Sequence, residues 1–151
     1  MRHRLYVHAV WTTKDRQRLI DLDVAHYLDE HLRIVARQER ARVLEIGIVA
    51  THVHVLIRLH PNTEIPRLMQ RLKGSTSSHL NRPPLNTDAG GWERGYNLQS
   101  VSERALHLVA SYVRAQPSHH PADAIPGWLP RSDLDTSEIE VASATPAEQS
   151  L

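Results

Sequence analysis

The chain has 151 residues, 40% of them apolar, which suffices for one domain with its own core. Cysteine is absent, so disulfides and thiolate-held metals are excluded, and no apolar run is long enough to span a membrane. The net charge of +1 is uneven: residues 1–117 carry 17 Lys/Arg against 11 Asp/Glu, whereas residues 118–151 carry one Arg against six acids.

From the N-terminus, Arg2 to Thr12 alternates, with Leu5, Val7, Ala9 and Trp11 on one face and Tyr6, His8 and Val10 on the other. That period of two predicts a strand with one buried face, and the segment lacks the apolar core of a signal peptide. A reducing cytoplasm is therefore the expected setting. Thr13 to Arg18 reads as a polar, basic turn. Val24, Tyr27, Leu28, His31, Leu32 and Val35 recur at helical spacing and predict a helix from about Asp23 to Arg40. Arg42 to Ala50, weakened by Gly47, and His52 to His60 read as two strands joined tightly near Thr51. Pro61-Asn62-Thr63 breaks the chain and offers a cap; Ile65, Leu68, Met69 and Leu72 then predict a helix from Glu64 to about Leu80.

Pro83 to Gly91 is a loop by composition, and Tyr96 to Val101 a short strand. Ser102-Glu103 opens a third helix that runs through Gln116 and ends at Pro117. The resulting fold class is α+β, a ferredoxin-like βαββαβ antiparallel sheet with an additional C-terminal helix. The helices are expected on one sheet face, leaving the other for function. Residues 1–117 form the domain. Residues 118–130, rich in Pro, read as an extended arm anchored by Ile125, Trp128 and Leu129, and residues 131–151 as an acidic, disordered tail.

His52 and His54, at i and i+2 of one strand, point to the same side, opposite Val53, Val55 and Ile57. Two imidazoles so placed can converge on one divalent ion; they can equally be two half-exposed strand histidines in a chain with 11 of them. Tyr112 and Gln116 share a helix face at i and i+4, where a phenol can be a nucleophile and an amide oxygen a neutral ligand. A packed tyrosine beside a stripe of Leu108, Val109 and Val113 accounts for the same spacing. Lys14, Arg16 and Arg18 in the first turn, with Arg67, Arg71 and Lys73 on the second helix, could position phosphates or simply solvate the surface. His8 lies on the strand face that could approach the histidine pair, and His119-His120 read as loop residues.

Taken together these segments resemble a known family. Val10-Trp11-Thr12-Thr13-Lys14-Asp15-Arg16, Thr51-His52-Val53-His54-Val55-Leu56-Ile57, Leu72-Lys73-Gly74-Ser75, Trp92 to Tyr96 with Ser100 to Ser102, and Tyr112-Val113-Arg114-Ala115-Gln116 resemble, in order, segments of the insertion-sequence-200-like single-tyrosine transposases. Their relatives associated with repetitive extragenic palindromes share the pattern. The resemblance implies that His52, His54 and Gln116 bind Mg²⁺ or Mn²⁺. It implies that Tyr112 attacks a phosphodiester of single-stranded DNA beside a hairpin, leaving a 5′-phosphotyrosine and a free 3′-hydroxyl for rejoining. It also implies homodimers that exchange the tyrosine helix in some members and monomers in others. The family often has Asp immediately before the first histidine where this chain has Thr51, and the acidic tail is an addition. Two other readings use the same residues: a DNA-hairpin-binding descendant that has lost strand transfer, and a ferredoxin-like binding module without nuclease chemistry.

Overall fold

The computed structural model describes residues 4–80 and 91–132. Residues 1–3, most of the Pro83 to Gly91 loop and all but the first two residues of the expected acidic tail lie outside the described residues.

The elements follow in the expected order. Strand β1 spans Leu5–Thr12, helix α1 Leu22–Gln38, β2 Ala41–Val49, β3 His52–Leu59, α2 Ile65–Gly74, β4 Asn97–Val101 and α3 Leu106–Arg114. A short helix, α4, covers Gln116–His119. The strands form one sheet in the order β2-β3-β1-β4, with every neighbouring pair antiparallel.

Helix boundaries differ from the sequence reading for local reasons. Asp21 caps α1, its carboxylate accepting a hydrogen bond from the Val24 amide at 2.9 Å. Thr63 does not cap α2; its hydroxyl donates to the Arg40 carbonyl at 3.1 Å and ties the preceding turn to the end of α1. Helix α2 ends at Gly74 rather than near Leu80, the chain continuing as a single 3-10 turn over Ser77–His79. The third helix starts at Leu106, later than Ser102-Glu103, and breaks at Ala115. Pro117 explains the break. It has no N–H for the Val113 carbonyl four residues back, and it sits instead in the first turn of α4.

The main core lies between the sheet and α1 with α2. Val7, Ala9 and Trp11 from β1 and Val53, Val55 and Ile57 from β3 meet Leu28, Leu32, Leu68 and Leu72 from the helices. Ile125 and Trp128 join this core, while Leu129, the third expected anchor, is 81% exposed.

The opposite face is not left bare. A second, smaller cluster there packs Leu106, Ala110 and Val113 of α3 on Tyr6, Leu44 and Leu56. This corrects the expectation that all helices share one face. It also corrects the expected stripe beside Tyr112: Val113 is buried and Val109 partly so, but Leu108 is 74% exposed.

Candidate active site

The face covered by α3 is where the polar residues gather. Cross-strand pairing aligns Gly47, His54, Val10 and Asn97 in one row across the four strands, and places His8 beside Gln99 in the next. Gly47, read from sequence as a weakness of β2, is a contact point. A Cβ built there would lie 2.0 Å from the Val113 carbonyl oxygen, so only glycine lets the α3 backbone come this close. Val113 is the residue whose carbonyl loses its helical partner to Pro117. One proline and one glycine, 70 positions apart, thus set the height of the tyrosine helix above the sheet.

A charge pair holds the same helix. Arg114 donates to Glu45, a carboxylate fully buried beside the bulge between Val43 and Glu45 in β2. The guanidinium of Arg114 is held in its charged form by that carboxylate, which raises its pKa.

The expected site residues come together under α3. His52 and His54 are buried, Gln116 fully so, and Tyr112 stands at the rim with 46% of its surface exposed. Neither histidine is half-exposed, as an incidental pair on an open strand would be. His52 Nε2 faces Gln116 Oε1 at 3.4 Å, and the Gln116 amide nitrogen donates to the Tyr112 carbonyl at 3.3 Å. That second bond orients the amide with its oxygen toward the histidines. The Tyr112 ring lies 5.7 Å, centroid to centroid, from His54, and the two histidine rings are 5.2 Å apart.

Each histidine has a partner on its other nitrogen. The Thr51 hydroxyl donates to Asp123 Oδ2 at 3.3 Å, so it accepts from His52 Nδ1 at 3.1 Å, leaving Nε2 with its lone pair. Asp123 thus supplies, through Thr51, a carboxylate on the His52 side of the site. His54 Nδ1 and His8 Nε2 are 2.8 Å apart with their rings stacked. A proton on His54 Nδ1, shared with His8, leaves Nε2 of His54 open.

Burial lowers the pKa of all three imidazoles. His54 falls to about 3, chiefly by burial and then by repulsion from His8, His52, His120 and His119. His52 is lowered by burial, against the bond that its protonated form would donate to Gln116 Oε1. His8 is lowered by burial alone. Neutral imidazole is the form that binds a metal. Among the described residues no group of three or more His, Cys, Asp and Glu side chains is placed to hold a metal; the donor set here is two imidazoles and an amide oxygen.

The basic residues are mostly engaged elsewhere. Arg67 and Arg71 both bond Glu39, the residue that ends α1, at 3.0 and 2.9 Å, pinning the two helices on the far side of the sheet. These bonds hold Glu39 below the usual carboxylate range, that of Arg71 foremost. Lys73 donates to the carbonyls of Glu93 and Gly95, and Lys14 pairs with Glu93 at 3.8 Å. Arg18 donates to the Ala122 carbonyl at 2.5 Å. Arg16, in a left-handed turn with φ 53°, is close enough to His52 to disfavour its protonation.

Asp123 has a contact here that sequence reading did not give it, and His8, read as able to approach the histidine pair, meets His54 at 2.8 Å. His119 and His120, read as loop residues, lie against the site: the His119 ring is tilted toward Tyr112 at 5.2 Å and the His120 ring is edge-on to His52 at 4.9 Å, centroid to centroid.

Comparison with known proteins gives the family and the fold. The family described as "Transposase IS200 like" matches residues 1–116. The chain belongs to that family. Its members carry out DNA transposition and are typically endonucleases of the His-hydrophobic-His type. The ISDra2 transposase TnpA of Deinococcus radiodurans is 28% identical over 119 residues, covering 76% of this chain and 85% of the relative. A crystal structure from Deinococcus radiodurans R1, assigned as a transposase, superposes with a TM-score of 0.60 at 24% identity, covering 77% of this chain and 93% of the other. A tyrosine transposase associated with REP sequences, solved with a REP hairpin bound, superposes with a TM-score of 0.63 at 10% identity. That match covers 80% of this chain and 72% of the other, and at such identities both superpositions speak for the fold. No helix among the described residues is long and apolar enough to cross a membrane.

Proposed function

We propose that this transposase cleaves and rejoins single-stranded DNA at hairpin-associated sites through a 5′-phosphotyrosine on Tyr112. The observation that supports it best is the meeting of four side chains within one chain: His52, His54 and Gln116 buried together, and Tyr112 exposed beside them at 5.7 Å from His54. We read the sheet as ferredoxin-like, with α3 added over its functional face.

The donor set fits Mg²⁺ or Mn²⁺. His52 Nε2, His54 Nε2 and Gln116 Oε1 would hold it, the imidazoles kept neutral by burial, and all three oriented by Thr51, His8 and the Tyr112 carbonyl. When bound, such an ion withdraws charge from the phosphate and orients it.

The chain's own residues do the rest. Tyr112 must lose its proton as its Oη attacks phosphorus, and the imidazole of His119, whose ring centre is 5.2 Å from that of Tyr112, is placed to receive it. The new bond is Oη–P, and the bond broken is between phosphorus and the 3′ oxygen, which leaves as a 3′-hydroxyl after taking up a proton. In rejoining, a 3′-hydroxyl attacks the phosphotyrosine and Tyr112 leaves. One diester replaces another, so no nucleotide cofactor is needed.

Tyr112 serves the histidines of its own chain in this reading. The Gly47 contact and the Glu45–Arg114 pair fasten α3 to β2 of the same chain. A denaturing gel tests the proposal: labelled hairpin DNA from the flanks of the gene is mixed with protein in Mn²⁺ or chelator. A metal-dependent covalent band, absent in Tyr112→Phe, is expected. Adducts that persist in that variant would move the nucleophile to another tyrosine.

A further inference from the structure

Beside Tyr112, on the side away from Gln116, α3 and the β1–β4 half of the sheet enclose a cavity of about 520 Å³. That is within the roughly 300–1,000 Å³ usual for a small-ligand pocket. Tyr112, His8 and His54 line it together with Val10, Leu108 and two amides, Asn97 and Gln99, so it opens directly from the histidine site. Strand register places Asn97 opposite Val10 and Gln99 opposite His8, so both amides belong to the face that carries the histidines.

Three features of the cavity stand out. Neither amide side chain has a hydrogen-bond partner among the described residues, and both are exposed. Leu108, one turn before Tyr112, holds out an apolar side chain that is 74% exposed. No Lys, Arg, Asp or Glu lines the cavity.

We propose that this cavity receives the unpaired nucleobase adjoining the scissile phosphate, with Asn97 and Gln99 reading its hydrogen-bonding edge and Leu108 and Val10 contacting its face. The inference rests on Tyr112 being the nucleophile. Once a phosphate is seated at its hydroxyl, the neighbouring base must go to one side or the other. The side toward Gln116 is closed by buried His52 and Gln116, with the His120 ring edge-on to His52 at 4.9 Å. The other side opens into the cavity. Lacking cationic groups, the cavity suits a base and not a second phosphate. An amide presents a donor and an acceptor together, as the edge of an unpaired base does, and the exposed leucine offers its flat ring an apolar contact. A paired base has its edge already used, so a base in this pocket must be single-stranded.

The test follows the amides themselves. Full-length ¹⁵N-labelled Tyr112→Phe protein is titrated with short single-stranded homopolymers of each base and with an abasic strand of equal length. The side-chain NH₂ signals of Asn97 and Gln99 should shift with base-bearing strands, unequally among the four, and stay still with the abasic strand. Asn97→Ala with Gln99→Ala, both at exposed positions, should weaken binding of the preferred base by roughly tenfold and leave abasic binding unchanged. Equal shifts with the abasic strand, or none with any strand, would overturn the proposal. The covalent-band assay reports separately on Tyr112: its failure removes the nuclease reading, whereas still amides remove only the base pocket.

Discussion

The two faces of the sheet are built to different ends. On one, α1 and α2 bury a continuous apolar core, and the nearby charges serve as clamps such as Arg67 and Arg71 on Glu39. On the other, α3 buries a small patch around Leu56 and Val113 and shares the face with His8, His52 and His54. The first face holds the chain folded. The second holds one helix at one height over a set of neutral donors. If the proposed reaction takes place on the second face, stability and chemistry are divided between the faces, and substitutions should sort accordingly.

The largest effect should come from the second face and leave the first untouched. His54→Ala should abolish covalent adduct formation with little change in unfolding midpoint. Mixing it with Tyr112→Phe should restore nothing, because each intact half stays in its own chain; recovery of adducts on mixing would show that α3 is exchanged between copies.

Leu72→Ala, on the first face, should cost about 2–5 kcal/mol in urea unfolding while the remaining folded protein keeps its adduct yield. Equal losses of both would break the division. Gly47→Ala sharpens it from the other side. Its Cβ has no room beside the Val113 carbonyl, so α3 must lift. We expect about 1–3 kcal/mol of destabilisation with a far larger loss of adduct.

Asp123→Asn should loosen His52 through Thr51 and weaken metal affinity by roughly 10–100-fold, measured by calorimetry with Mn²⁺. An unchanged affinity would mean that His52 needs no such support. The smallest effect belongs to His31 on the first face. Its Nε2 is buried without a hydrogen-bond partner among the described residues, and burial foremost, then His79 and Arg71, lower its pKa below 6.5. The unfolded chain therefore binds the proton more readily, so stability is full above 6.5 and falls as the pH drops below it. His31→Gln should flatten that part of the melting profile without touching adduct formation.

Much of this was legible in the sequence because it is local. Alternation in β1 and β3 and the helical spacing of Val24, Leu28, Leu32 and Val35 each report one buried face within a few residues. The histidine pair was legible for the same reason. What was hidden depends on distant neighbours. Gly47 reads as a flaw until Val113 arrives, and Thr51 reads as a lost carboxylate until Asp123 returns to it from 72 positions away. The exposed Leu108 and the second face beneath α3 were misread because a helix's spacing reveals that it has an apolar side but not which surface that side will meet.

Ile125 and Trp128 lie beyond residue 116, where the family match ends, yet both are buried in the main core. What is shared by descent and what must be present for the chain to fold therefore have different limits here. A shuffled or transplanted copy cut at the edge of the recognisable family would inherit His52, His54, Tyr112 and Gln116 but leave behind Asp123, His119 and part of the wall that keeps them in place.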